Sequence, residues 1–324
     1  MANAIYSNAR AKALENSLLS RDRLNRMVES VTADEAVKIL YEVNFGDGLV
    51  IEGAPDFERL ILQEQKKFIG FIKEVSASDL LTKYFLLEND YHNAEAIMRA
   101  KHLKTDYSPM LVPNGLIDSD ELAKKIMADD YGDFSEQLSA VLSFADGEFV
   151  AGRATGSGIN AAFVKALYNE LSTCAKKNGE IKRIFERKAD CVNVATALRT
   201  RNYSEADKYF VAGGTLDNVF LKTLCEDDYD IIKEKCKYHP FGEYILSAIE
   251  REGKPLTDFE KLADDYAMKL LKKNKYSVEN IHPFLLYCYY KLAEIKNVRI
   301  IMVGLLNGWD RNDIKRRLRD GYEG

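Results

Sequence analysis

The sequence predicts an all-α protein, and three observations carry that expectation. Proline is scarce, six in 324 residues, while the chain is rich in Leu, Ala, Lys and Glu. Proline breaks helices, whereas those four residues lose little on entering them. Helix-start signatures recur as a capping side chain with an acid three residues on: Thr32 with Glu35, Asp118 with Glu121, Thr257 with Glu260. Alternating apolar and polar runs are almost missing, apart from the short LVIEG after Gly48.

Taken in order, the chain opens with an amphipathic pattern in NARAKALENSLLSRDRLNRMVES, carried by Leu14, Leu18, Leu19, Leu24 and Met27. Connections are marked by GDG at Gly46–Gly48, PNG at Pro113–Gly115, GSG at Gly156–Gly158 and GG at Gly213–Gly214. The most apolar segment, PFLLYCYYKLAEIKNVRIIMVGLL, is interrupted by Lys291, Glu294, Lys296 and Arg299. No window reaches the roughly 18 uninterrupted apolar residues a membrane span needs. The basic run Lys315, Arg316, Arg317 and Arg319 reads as a helix C-terminus complementing its dipole.

Composition excludes several classes. Apolar residues at 46% and charged ones at 30% describe a globular chain with a sizeable core. A net charge of −5 gives no general attraction to nucleic acid. The five cysteines, Cys174, Cys191, Cys225, Cys236 and Cys288, are odd in number and irregularly spaced. With no signal peptide in MANAIYSNARAKALE, they read as reduced cytosolic thiols. Cys225, Cys236 and His239 lack the paired short spacing of a zinc site.

One polar phrase is spelled twice. DYHNAEAIMRA begins at Asp90 and DCVNVATALRT at Asp190, and a looser version, EIKNVRIIMVG, begins at Glu294. Asp90, Asn93 and Arg99 thus correspond to Asp190, Asn193 and Arg199, with Glu294 and Asn297 as the third pair. On a helix each acid and amide share a face with apolar residues: Leu86, Leu87, Ala94 and Ile97; then Val194 and Ala197; then Tyr290, Val298 and Ile301. Such groups need partners, so they are expected to bind neighbouring backbone or side chains.

Other landmarks keep the same order. An aromatic-Gly-acid triplet precedes each phrase, at Phe45-Gly46-Asp47, Tyr131-Gly132-Asp133 and Phe241-Gly242-Glu243. An aromatic precedes each acid, at Phe85, Phe185 and Tyr289, and VPNGLID at Val112 is answered by VAGGTLD at Val211. Three helical repeats are expected, 1–116, 117–215 and 216–324. A packing solution is copied with its fold unit, whereas a catalytic site is assembled from unlike groups, so the acid/amide pairs are expected to be structural. AGRATGSG at Ala151 lacks the Lys-Ser/Thr of a phosphate loop and reads as an interhelical turn. His92, His102, His239 and His282 are scattered, no Ser or Cys stands in an elbow motif, and His92 reads as a surface or packed residue rather than a base.

NARAKALENSLLSRDRL, DYHNAEAIMRAK, VAGGTLD and EIKNVRIIMVGLLNGWDRNDIKRRL together resemble the C subunit of archaeal and bacterial V-type (A/V-type) ATPases, to which the d subunit of the vacuolar enzyme is related. The resemblance runs from about Ala9 to Leu318 and keeps the segment order. It departs at Leu305, where members often carry Lys after the Gly matched here by Gly304. The resemblance implies a funnel of three similar helical domains about a pseudo-threefold axis. It further implies a non-catalytic rotor part, whose wide end sits on the proteolipid ring and whose cavity receives central-stalk subunits D and F. The implied place is the cytoplasmic face of the plasma membrane, reached only through the complex. The resemblance implies no nucleotide site, cofactor or metal and supplies no catalytic residue. Two other readings stay open: a helical-repeat adaptor of another complex, and a helical enzyme using the Asp/Asn/Arg set.

Overall fold

The computed structural model describes residues 4–250, 258–277 and 280–324. Those residues form α-helices joined by turns and short 3-10 segments, with no strand among them. In order the helices are α1 (Ala4–Leu14), α2 (Arg21–Glu29), α3 (Ala33–Glu42), α4 (Phe57–Val75) and α5 (Asp79–Leu103). Next come α6 (Ser119–Met127), α7 (Glu136–Val150), α8 (Gly156–Ala175), α9 (Gly179–Thr200), α10 (Tyr203–Ala206) and α11 (Asn218–Glu226). The last are α12 (Tyr229–Cys236), α13 (Gly242–Glu250), α14 (Asp258–Lys272), α15 (His282–Leu306) and α16 (Arg311–Arg317).

Local chemistry sets the helix starts. The Thr32 hydroxyl accepts from Glu35 N, and the Glu35 carboxylate reaches back to Val31 N at 2.9 Å. Asp118 caps α6 through Asp120 N and Glu121 N. The pair expected at Thr257 and Glu260 begins outside the described residues. Ser135, Thr155, Asn178, Asn202, Asp217 and Asp310 cap the helices that follow them in the same way.

Three sequence expectations change in detail. The amphipathic N-terminal stripe is buried at Leu18, Leu19, Leu24 and Met27, but the helix breaks at residues 15–20 because Leu18 is extended and Ser20 starts α2 as its cap. LVIEG is an irregular connection in which Ile51 is buried and Val50 exposed. Its alternation comes from one segment lying on the core with no partner strand. GSG belongs to the first turn of α8 rather than to the connection, since Thr155 accepts from Gly158 N.

The chain divides into two compact units, one of Met1–Phe85 with Asp264–Gly324 and one of Leu86–Ala263, so the boundaries fall inside α5 and α14. In the first, α2, α3 and α4 bury Leu24, Met27, Leu40, Leu60 and Ile61 against Val298, Ile301 and Met302 of α15 and Ile314 of α16. Each such side chain contributes about 1.5–3 kcal/mol on burial. In the second, Cys191, Val194 and Ala197 of α9 meet Leu224 of α11, Ile232 of α12 and Ile245 of α13. The apolar segment that the sequence singled out is α15, buried nearly all round as a core helix. No described helix is long and apolar enough to cross a membrane.

Candidate functional site

The repeated phrase builds one kind of grip. Asn93, on α5, donates from Nδ2 to Val112 O at 3.1 Å and accepts from Val112 N at 2.9 Å. Asn193, on α9, does the same with Val211, at 3.0 and 2.8 Å. Asn297, on α15, does it with Arg319, at 3.0 and 2.8 Å. A side-chain amide presents a donor and an acceptor side by side, matching the N–H and C=O of one residue. All three amides are 5% exposed or less.

The acids bind the residues just before a helix cap. Asp90 accepts from Leu116 N at 3.0 Å and Ile117 N at 3.1 Å, next to the α6 cap Asp118. Asp190 accepts from Thr215 N and Thr215 Oγ1, both at 2.6 Å, and from Leu216 N at 3.1 Å, next to the α11 cap Asp217. Glu294 accepts from Leu19 N at 2.6 Å, next to the α2 cap Ser20. Its recipient lies not downstream but near the other end of the chain, where Arg21 N also donates to Tyr322 O at 3.0 Å. The tail after α16 and the segment before α2 therefore do together what one continuous connector does in the other two places.

Glycine lets the backbone come this close. A Cβ on Gly115 would lie 2.5 Å from Asp90 Oδ1, and one on Gly214 would lie 2.3 Å from Asp190 Oδ1. The PNG and AGG turns are thus the places where the connector passes over the carboxylate.

The arginines of the phrase part company. Arg99 binds Glu95 and, from Nη2, the Gly156 carbonyl at 2.7 Å. Arg199 lies exposed. Two residues further on, Arg201 adopts a left-handed φ of 48° and donates to Leu224 O and Asp227 O at the end of α11. Lys101, at the matching place after Arg99, binds Asp129 and Asp146 instead.

A charge cluster that the sequence did not announce supports the third acid. Lys291 Nζ lies 2.7 Å from Glu64 Oε1 and also binds Glu294; the side chains of all three are 5% exposed or less. Burial raises the Glu294 carboxyl above its ordinary range, and Lys291 pulls it partly back. Burial opposes the Lys291 charge, yet Glu294 and Glu64 outweigh it and hold the ammonium well above its usual value. Glu64 also accepts from Gly46 N at 2.9 Å, and Gly46 has φ +83° with Leu60 packed against it. Phe45 lies under Lys291 at 6.0 Å as Phe241 lies under Arg187 at 3.9 Å. A cation three positions before the acid, Arg187 before Asp190 and Lys291 before Glu294, was the available signal.

The arrangement holds backbone in place. Both oxygens of Asp190 accept hydrogen bonds, and no nucleophile faces a base among the bonds above. The Cys225, Cys236 and His239 set makes no metal site: both thiols are buried, His239 stacks on Phe220 at 4.4 Å, and no described cluster has the ligands for a metal ion. His102 binds Asp146 at 2.8 Å and stacks on Phe149, and His92 bonds the Met110 carbonyl.

Known relatives share this chain along most of its length. It is 25% identical to the C subunit of the V-type ATP synthase of Thermus thermophilus, over 76% of this chain and 80% of that one. It is 19% identical to the C subunit of the V-type sodium ATPase of Enterococcus hirae, over 98% of both. It is 22% identical to the C subunit of the A-type ATP synthase of Thermococcus kodakarensis, over 96% of this chain and 88% of that one. The model of the ATP synthase (C/AC39) subunit family matches residues 7–317, and the chain belongs to that family.

Proposed function

We propose that this chain is the socket of a rotary ATPase, coupling the central-stalk subunits D and F to the membrane proteolipid ring. Its place is then the cytoplasmic face of the plasma membrane, bound through the complex. The observation that carries this reading is the family match along residues 7–317, joined by relatives named as subunits of V-type and A-type ATP synthases and of a sodium ATPase. Membership in that family makes the chain a non-catalytic part of an ATP-driven or ATP-making complex.

The finer architecture belongs to the same proposal. The three divisions 1–116, 117–215 and 216–324 are read as pseudo-threefold repeats forming a funnel, with Asp90/Asn93, Asp190/Asn193 and Glu294/Asn297 in equivalent places and Arg99 matched to Arg199. The three two-pronged amide grips support it, as do the acids seated before the caps of α6, α11 and α2. A part that transmits torque must resist deformation, which suits close-packed helices whose connectors are bound from inside.

The test is co-purification. A tagged full chain, expressed in cells carrying the parent enzyme, is recovered from solubilised membranes and its partners are identified by mass spectrometry. D, F and the proteolipid should be recovered together. Binding to protein-free anionic vesicles at physiological salt, with none of those subunits recovered, overturns the reading.

A further inference from the structure

The turn before α13 is closed through a histidine ring. Phe241, 2% exposed, donates its N–H to His239 Nδ1 at 3.2 Å. A backbone N–H is only ever a donor, so Nδ1 is the bare nitrogen and the ring proton sits on Nε2. His239 also donates its own N–H to Cys236 O at 3.0 Å, and its carbonyl accepts from Gly242 N at 2.8 Å. The ring stacks on Phe220 at 4.4 Å and on Phe241 at 5.7 Å. One residue thus ties together α11, the end of α12 and the start of α13.

The turn has no slack. A Cβ on Gly242 would lie 2.0 Å from Cys236 O, so the first residue of α13 rests on the last carbonyl of α12. Phe241 O accepts from Ile245 N as α13 begins, and Ile245 is fully buried. His92 and His102 differ in kind. Each turns Nε2 to an oxygen, of Met110 and of Asp146, and a charged ring keeps such a bond. A charged His239 does not, because a protonated Nδ1 is a donor facing a donor. The charged groups that reach His239 are Arg187 and Asp190 of α9 and Asp217 at the start of α11. Lys237 and Glu243 flank the turn in solvent. Burial pushes the imidazole below its ordinary value of 6.5; Asp190 draws it back, Arg187 lowers it again, and Asp217 opposes Arg187.

We propose that His239 is a pH-sensitive latch: its neutral ring holds the start of α13 against α12, and a proton on Nδ1 releases it while α9 stays folded. Charging the ring sets two donors face to face and takes the acceptor from the buried Phe241 N–H. It also adds a cation beside Arg187, whose guanidinium already lies 3.9 Å over the Phe241 ring. The fold favours the neutral ring, so the latch is fully closed above the unfolded value of about 6.5 and weakens as pH falls through the folded one. Between those two values the closed form loses up to about tenfold in its equilibrium for each pH unit. The latch rests on this turn alone and stands apart from the socket reading.

Hydrogen exchange of the full chain from about pH 7.5 to about pH 5, corrected for the intrinsic effect of pH on amides, tests this. The α13 amides should exchange up to about tenfold faster for each pH unit below about 6.5, while those of α9 hold. His239→Asn is the deciding variant, because an Asn oxygen accepts from the N–H two residues on, as in an Asx-turn, and has no proton to titrate. Its α13 should match the parent at about pH 7.5 and stay flat on acidification. His239→Ala, with no acceptor, should exchange fast at both ends of the range. A parent whose α13 is flat across the range, an Asn variant that rises with the parent, or α9 rising in step with α13 overturns the proposal.

Discussion

Replacing Asn193 with Ala removes both prongs of one grip and nothing else of comparable size. The amide is 5% exposed and its partner Val211 is 6% exposed, so neither the Val211 N–H nor its C=O has ready access to water. Each orphaned buried group costs about 1–3 kcal/mol, and partial hydration of the space left behind offsets some of that, giving about 2–4 kcal/mol for the pair. For a cooperative unit of this size that is a fall of roughly 5–15 °C in melting temperature. The assay is thermal unfolding of the full chain beside Lys177→Ala, which alters an exposed residue and should melt like the parent. Asn193→Asp sharpens the test by keeping the acceptor for Val211 N while losing the donor to Val211 O. Its carboxyl regains a donor when protonated, so its deficit should shrink as pH falls toward the carboxylate range. If Asn193→Ala melts within a degree or so of the parent, the two-pronged bond is not what fixes the connector.

Two further outcomes follow from the same geometry. Gly214→Ala should cost several degrees, because its Cβ would meet Asp190 Oδ1 at 2.3 Å, whereas Gly147→Ala, in the last turn of α7 with nothing within 4 Å, should gain up to about 0.5–1 kcal/mol; equal melting of the two variants refutes the close-approach argument. Lys291→Met should lower stability by about 3–5 kcal/mol by leaving Glu64 and Glu294 buried together. Burial raises the folded Glu294 carboxyl, so its contribution is fully present below the unfolded value of about 4.3 and is lost as pH rises through the folded one. Melting of the parent relative to Glu294→Gln should therefore improve on acidification, and a difference that worsens instead would refute that sign.

The helical class was legible because it rests on local chemistry: caps at Thr32 and Asp118 work as their spacing predicts. The faces were legible for the same reason, since Leu86, Ile97, Val194 and Ile301 lie buried beside the acids and amides. What the acids bind was not legible, because a hydrogen bond to a backbone N–H leaves no mark on the identity of the residue that donates it. Leu19 carries no sign that it serves Glu294. Glycine is the exception: Gly115 and Gly214 are visible in the sequence because close passage over a carboxylate excludes a side chain. Arg199 shows the opposite hazard, a repeated letter that sits in solvent while its counterpart Arg99 reaches a carbonyl.

The third acid differs from the first two for a reason the structure makes physical. Asp90 and Asp190 are each met by two consecutive backbone amides from a connector that runs on from their own helix, and Asp190 gains the Thr215 hydroxyl as well. Several amide and hydroxyl donors to one carboxylate offset the cost of burying it. Glu294 has no such connector, because the chain does not run on from its helix to α2. It reaches across with one more methylene to the single amide of Leu19. One amide leaves the charge under-supplied, and Lys291 makes up the difference one turn away, shared with Glu64. On the proposed repeat, Glu in the place of Asp, the buried lysine and the meeting of Arg21 with Tyr322 are linked consequences of closing the third connector without a covalent link.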